Sequence, residues 1–202
     1  MRWMGRSGRG VTARVAAIDR YAFPSAVRQR FSQAHLDLSA EDIRLVEDAL
    51  RQWFRLAVRR PGARLAMPSA VARDYRHEFV RHTRDYADFC AAALGRLPHQ
   101  VPEPADERSG LPETLRLAQQ DEGVGADVLP LLFRVDSDIG VPDGRHYLAD
   151  CGGRGQCFQQ AGMICLKHLD GAGRPVRRGW RIGEAPPPGA LGDGSISGGR
   201  GT

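Results

Sequence analysis

The chain has 202 residues, with 29 lysines and arginines against 24 aspartates and glutamates, and a formal net charge of +5. This length allows one domain with a sizeable hydrophobic core. No stretch approaches the roughly 20 consecutive apolar residues that a membrane-spanning helix needs, so we expect no membrane partner. The first residues also lack the uninterrupted apolar segment of a secretory signal peptide. We therefore expect a cytoplasmic protein.

The positive charge lies at the two ends of the chain. Residues 1–30 carry a formal charge of +6 and residues 171–202 carry +3, so residues 31–170 carry −4. A basic surface attracts polyanions without reading their sequence. We expect that the ends can make non-specific contacts with nucleic acid, whereas the central part has no such charge.

Composition also predicts the boundaries of the folded region. The ends are rich in Arg, Gly and Pro, as in APPPGALGDGSISGGRGT near the C-terminus. Such segments bury too little apolar surface to offset the entropy lost on ordering. We predict a disordered basic arm at 1–14, a helical domain at 15–169 and a disordered tail at 170–202. Within that domain, residues 151–168 form a region that contains cysteines.

Two helices are predicted before residue 61. Pro24-Ser25 precedes a short helix in which Val27 and Phe31 are four residues apart. Ser39 is followed by acidic residues, which is typical of an N-cap. The helix after Ser39 has a continuous apolar stripe formed by Ile43, Val46, Leu50, Trp53, Phe54 and Ala57.

The next prediction is one continuous helix from Ser69 to Leu94, which Gly95 ends. Its apolar side comprises Val71, Tyr75, Phe79, His82, Tyr86, Phe89, Cys90 and Ala93. A helix is also expected from Leu111 to Gln120, and another after Asp127, which is the predicted cap. Beyond Gly140 the periodicity is lost, and loop or short strand is expected. The pattern predicts an all-α fold, with one compact domain of four to six helices.

His77-Glu78 and His82 resemble the zinc-protease motif H-E-x-x-H, but here three residues separate Glu78 from the second histidine. Side chains five positions apart on a helix diverge by roughly 140°. One zinc ion therefore cannot bind both rings of a continuous helix. We expect His82 to be a hydrogen-bonded histidine of the core.

The polar face of the same helix carries Asp74, His77 and Arg81. An aspartate three residues before a histidine can accept a hydrogen bond from the ring and raise its basicity. Helix surfaces also carry such groups with only a small effect on stability. The polar face is therefore a candidate site, and no residue is assigned a catalytic role.

A second candidate site is the pattern Cys151-x5-Cys157-x7-Cys165-x2-His168. Three thiolates and one imidazole are the ligands that a tetrahedral zinc site uses. The spacing lacks the C-x2-C turn of zinc fingers, so two other interpretations stay open. One is a disulfide between Cys151 and Cys157, and the other is a set of buried thiols. Cys90 is expected in the core.

The segment Met67–Cys90 resembles a known family. Its pattern MPS-x4-D-x2-HEF-x2-HTR-x-Y-x2-FC is similar to that of bacterial glycine-rich domain-containing proteins and, more distantly, to helical glycine-rich domain proteins of plants. The matching residues are Ser69, Asp74, His77, Phe79, Thr83, Tyr86 and Phe89. Arg76 stands where those proteins have tryptophan. The resemblance covers Arg51–Leu97 and implies a helical fold without an established reaction.

The sequence has amphipathic helices but no complete catalytic signature. We therefore expect a non-enzymatic binding or adaptor protein that has no cofactor and binds an unidentified protein partner. The alternative is a small zinc-binding protein that uses Cys151, Cys157, Cys165 and His168. A third hypothesis is an enzyme that uses Asp74 and His77.

Overall fold

The structure is a computed structural model that describes residues 4–95, 110–149 and 163–169. It describes the side chains of these residues except those of 4–9 and 168–169. The predicted tail at 170–202 lies outside the described residues.

The described residues form eight α-helices, one π-helical turn and two short strands. In chain order these are α1 (Met4–Arg20), α2 (Ser25–Ala34), α3 (Ala40–Arg59), α4 (Ala70–Arg81), α5 (Thr83–Phe89), the π turn (Cys90–Leu94), α6 (Leu111–Glu122), α7 (Leu131–Asp138), β1 (His146–Leu148), β2 (Met163–Cys165) and α8 (Leu166–Leu169). The strands pair in parallel, with Tyr147 opposite Ile164. The predicted all-α class is confirmed, with more helices than the four to six expected. None of the described helices is long and apolar enough to cross a membrane.

Helix α3 is the centre of the fold, and it packs against α1, α4, α6 and α7. It begins with a complete capping box, because Ser39 Oγ accepts from the Asp42 N–H and Asp42 Oδ2 accepts from the Ser39 N–H. The Ser39 hydroxyl also donates to Asp42 Oδ2 at 2.7 Å, and this bond, followed by the one from the Ser39 N–H, lowers the pKa of Asp42. The predicted apolar stripe is buried throughout, so local sequence and tertiary packing agree on this helix.

The core beside α3 is rich in aromatic rings. Phe23 makes edge-to-face contacts with Tyr75 at 5.3 Å and with Phe79 at 5.2 Å between ring centroids. Phe89 packs against Phe54 at 4.7 Å. Such pairs each add about 0.5–1.5 kcal/mol beyond the area that they bury. They join α4 and α5 to α3 and to the connection between α1 and α2.

Helix α1 includes residues 4–14, where composition predicted a disordered arm. Val11, Val15 and Ile18 lie on one face, and Ile18 is fully buried. The two valines pack against the core while partly exposed. Burial of this apolar face explains the helix. Composition missed it because the Gly and Arg residues nearby contribute little apolar surface to bury.

The predicted helix from Ser69 to Leu94 is not continuous, which corrects the sequence interpretation. His82 has φ −82° and ψ 67°, so α4 ends there and α5 begins at the next residue. No Gly or Pro lies in this interval. Phe79 and Phe89 would be about 15 Å apart along a straight helix, yet their ring centroids are 5.4 Å apart. Packing of both rings against one core therefore accounts for the break.

The start of α7 also differs from the prediction. The preceding residue is Pro130, and Asp127 does not cap the helix. Side chains from two other helices take that role. Glu122 Oε1 accepts from the Leu131 N–H at 2.6 Å, and Gln52 Oε1 accepts from the Leu132 N–H at 2.9 Å. The orphan donors of this helix end are thus satisfied through tertiary contacts.

Gly110, which precedes α6, lies against the extended segment before α4. A Cβ atom at Gly110 would be 2.7 Å from the Arg64 carbonyl oxygen and 2.9 Å from the Ala66 nitrogen. Both neighbours are backbone atoms and cannot rotate away. We expect Gly110→Ala to lower the free energy of unfolding by about 2 kcal/mol, as overpacked sites do, in a urea titration followed by circular dichroism.

Gly62→Ala is the matched control, because a Cβ atom at Gly62 would meet nothing within 4 Å. Its free energy of unfolding should stay within about 0.5 kcal/mol of the unmodified chain. Equal stability of the two variants would show that the contact of Gly110 with residues 64–66 is not tight.

Candidate binding site

The predicted polar face of α4 does not form a single cluster. Asp74 Oδ2 lies 3.7 Å from Nε2 of His35, the C-cap residue of α2, and Arg81 Nη1 donates to Glu78 Oε1 at 2.7 Å. His77 is exposed and makes no hydrogen bond or ion pair with the residues that the structure describes. The structure therefore gives Asp74 and Arg81 separate partners and does not bring either to His77.

These polar residues instead line the contact between α2 and α4. Glu78 Oε2 lies 3.2 Å from Arg30 Nε of α2, beside the Asp74–His35 pair. Exposed ion pairs of this kind contribute about 0–1 kcal/mol each. Two of these polar side chains, Asp74 and Glu78, therefore face residues of the α2 region across the contact between the two helices.

His82 lies at the break between α4 and α5. Its side chain is 21% exposed, and Nδ1 is 3.9 Å from Asp85 Oδ2. The prediction of a hydrogen-bonded histidine is wrong for Nε2, which is buried without a hydrogen-bond partner in the described part of the chain. Across the described residues, no group of three His, Cys, Asp or Glu side chains is placed to hold a metal ion.

The predicted zinc ligands are only partly described. Cys165 is buried at the end of β2, and the backbone of His168 lies in α8. Cys151 and Cys157 lie outside the described residues, so the cysteine region stays a prediction. Cys90 is fully buried, as expected, and burial raises its pKa to about 11. A thiol in that state is a poor nucleophile.

A polar cluster around a buried carboxylate joins α2, α3 and α4, and we call it the Glu47 cluster. It consists of Glu47, Arg28, Arg51 and Tyr75. Arg28 Nε and Nη2 donate to the two carboxylate oxygens of Glu47 at 2.5 Å and 2.9 Å. The Tyr75 hydroxyl donates to Glu47 Oε1 at 2.6 Å, and Arg51 Nη2 lies 3.5 Å from Oε2. A single carboxylate thus connects three helices.

Burial and charge set the protonation of this cluster. Glu47 is only 1% exposed. Burial, followed by the hydrogen bond to Glu47, raises the pKa of Tyr75 well above its usual value. The hydrogen bond to Glu47 raises the pKa of Arg28. Tyr75 therefore remains a neutral donor and Arg28 remains charged at neutral pH, and the bidentate pair holds the guanidinium in one orientation.

An open groove of about 590 Å³ lies beside this cluster, and we call it the α2–α3 groove. Its lining consists of Arg28, Gln29, Ser32, Leu38, Ala40, Ile43 and Arg44. Two arginines and no acidic residue face the groove. Apolar side chains from the α2–α3 connection and the first turns of α3 complete it. Such a surface combines a positive charge with an apolar floor.

The two arginines retain donors for an external acceptor. Arg44 is exposed and makes no hydrogen bond or ion pair with any described residue. Arg28 uses Nε and Nη2 for Glu47, but its side chain is 45% exposed, and a guanidinium carries five N–H donors. A guanidinium that is already oriented loses less entropy when it binds a carboxylate.

Sequence reasoning missed this site, although one signal was present. Glu47 lies four residues after Ile43 and three before Leu50, so it occupies the apolar face of α3. A carboxylate in an apolar stripe needs partners when it is buried. The identity of those partners, Arg28 and Tyr75, depends on helices that are distant in the sequence.

These features define the class of protein as a compact helical domain with a basic, apolar-floored groove. The chain belongs to the UCP032817-like family, whose family model matches residues 13–169. No curated protein and no solved structure matches the chain. The family description states no activity, ligand or partner, and the resemblance to glycine-rich domain-containing proteins stays a prediction.

Proposed function

We propose that this protein is a cytoplasmic, non-enzymatic binding protein that recruits a protein partner through the α2–α3 groove. The observation that carries the proposal is that two arginines, Arg28 and Arg44, and several apolar side chains line the same open groove. A surface with these properties supports recognition by charge and shape without any chemical step.

The rigidity of the groove walls supports this proposal. The Glu47 cluster links α2 to α3 through Arg28, and links both to α4 through Tyr75. Phe31 of α2 adds a ring contact of 4.8 Å with Tyr75. Preformed walls reduce the ordering cost of association.

The remaining buried carboxylates serve the fold. Asp121 of α6 accepts from Arg55 at 2.7 Å and also pairs with Arg59, which joins α6 to α3. Asp136 of α7 accepts from the start of α4. These groups are engaged in links between helices, as expected of a scaffold that supports a binding surface.

The proposal is tested by cross-linking in cells, followed by reconstitution of any identified partner with the purified full chain. We expect Arg44→Glu to weaken the reconstituted complex at least about tenfold, because the charge at the groove is reversed. The matched control is Arg84→Glu, which changes an exposed arginine of α5 away from the groove. If identified partners bind the Arg44 and Arg84 variants equally well, the groove is not the recognition surface.

The alternative function is zinc binding by Cys151, Cys157, Cys165 and His168. The sequence pattern of three thiols and one imidazole supports it. The protein purified without added metal should then contain stoichiometric zinc by elemental analysis, and Cys157→Ser should lose it. Cys90→Ala is the control, since Cys90 lies in the core beside α5 and should retain the metal. Absence of zinc from the unmodified protein would contradict this alternative.

A further inference from the structure

We infer that the α2–α3 groove binds an acidic segment of the partner, in which a carboxylate side chain is followed by an aliphatic one. This inference rests on the proposed function and specifies the chemistry of the partner. It starts from the charge of the groove. Among the acidic side chains near Arg44 on α3, Asp42 bonds to Ser39 and Asp48 pairs with Arg51, and Glu41 is exposed but does not line the groove.

The first step is recognition of the carboxylate. Arg28 is held by Glu47 and is 45% exposed, while Arg44 lies about one turn before Glu47 on the same helix. Glu47 offsets the charge of Arg28, whereas Arg44 makes no ion pair with a described residue and no acidic side chain lines the groove. A carboxylate accepts hydrogen bonds from guanidinium groups at short distance and with defined orientation.

The second step is recognition of the aliphatic side chain. Leu38, Ala40 and Ile43 supply the apolar part of the lining, and no aromatic ring lies among the lining residues. Bases of single-stranded nucleic acid bind mainly by stacking on aromatic side chains, so the groove fits an aliphatic group better. Leu36, in the connection that contains Leu38, is 84% exposed, and exposed apolar side chains are typical of contact surfaces.

The third step concerns the shape of the groove. Its volume of about 590 Å³ is sufficient for a few side chains of an extended segment. The groove is open at the surface, so both ends of a bound segment can continue into solvent. A peptide segment within a longer chain requires an open groove, whereas a small metabolite binds more tightly in an enclosed pocket.

The test uses three synthetic hexapeptides with blocked ends and the full-length protein. The first is Ser-Asp-Glu-Leu-Glu-Ser, the second replaces its acidic residues with lysine, and the third replaces its leucine with serine. Binding is followed by NMR through the Nε–H signals of Arg28 and Arg44 and the methyl signals of Leu38 and Ile43. We expect saturable shifts with the first peptide, and binding at least about fivefold weaker with each of the others.

Variants locate the binding. Arg44→Gln should weaken binding of the first peptide about fivefold and make its affinity less dependent on salt concentration. Arg84→Gln should leave the affinity and its salt dependence unchanged. The inference is overturned if the first peptide fails to saturate, or if it binds Arg44→Gln as well as the unmodified chain. Equal shifts with citrate or inorganic phosphate alone would identify a small-anion site and also overturn it. A dimer by light scattering that Arg44→Gln dissociates would place a second copy in the groove, with the same consequence.

Failure of this inference is distinguishable from failure of the proposed function. If an identified partner loses affinity for Arg44→Glu but the acidic peptide does not compete with it, the groove is a docking site for another chemistry. If the partner is insensitive to Arg44→Glu, the proposed function itself fails.

Discussion

Replacing Asp136 with alanine will lower the free energy of unfolding by about 3 kcal/mol, because several buried donors lose their acceptor together. Asp136 of α7 is 1% exposed. Its carboxyl oxygens accept from Ser69 Oγ at 2.5 Å, from the Ala70 N–H at 2.8 Å and from the Arg145 N–H at 2.8 Å. One side chain therefore connects α7 to the start of α4 and to the segment before β1.

The geometry at the start of α4 explains the size of this effect. Ser69 Oγ accepts from the Ala72 N–H at 2.9 Å and so caps the helix. The same hydroxyl donates to Asp136, while the Ala70 N–H donates directly to the carboxyl group. An acceptor beside the first turn satisfies donors that have no partner within the helix.

Asp138→Ala is the matched control for this prediction. Asp138 lies two residues later on α7, is exposed and pairs with Arg134 at the surface. Its loss should change the free energy of unfolding by no more than about 0.5 kcal/mol. Urea titrations measure the two free energies of unfolding, which are compared directly if the variants have the same m value. Similar losses for the two variants would contradict the role assigned to Asp136.

The second large effect is expected for Glu47→Ala, which should also lower the free energy of unfolding by about 3 kcal/mol. Glu47 accepts hydrogen bonds from Arg28 and Tyr75. Without it, the buried Tyr75 hydroxyl and the guanidinium of Arg28 lose their common acceptor. The penalty falls on groups that cannot all reach water, since Tyr75 is fully buried.

Asp48→Ala is the control at the adjacent position, because Asp48 is mostly exposed and pairs only with Arg51 at the surface. We expect its free energy of unfolding to change by at most about 0.5 kcal/mol. A double-mutant cycle of Glu47→Ala with Tyr75→Phe adds a sharper measurement. The two changes should be clearly non-additive, because both remove one shared hydrogen bond. Additive losses would show that the cluster does not act as a unit.

The helices with local signals were predictable from the sequence. α3 has a capping box and an apolar stripe, and both depend on residues within a few positions of one another. α6 ends at Gly123, whose φ of 70° suits glycine. Periodicity and capping are properties of neighbouring residues, and therefore one sequence is enough to detect them.

Other features required contacts between distant residues. The break at His82 has no local signal and follows from ring packing of Phe79 and Phe89. The cap of α7 comes from Glu122 and Gln52, which no local pattern connects. The partner of Asp74 also required tertiary contacts, since Asp74 lies beside His35, the C-cap residue of α2.

The sequence by itself determined that this protein is helical, which helix carries the central apolar stripe, and that the positive charge lies at its ends. Only the tertiary structure decided which polar residues meet. Glu47, Arg28 and Tyr75 lie on three helices, and their hydrogen bonds exist only when those helices pack. The physical reason is the range of the forces involved. Helix propensity and capping act within a turn, whereas a groove and a partly buried ion pair arise from surfaces that folding brings together.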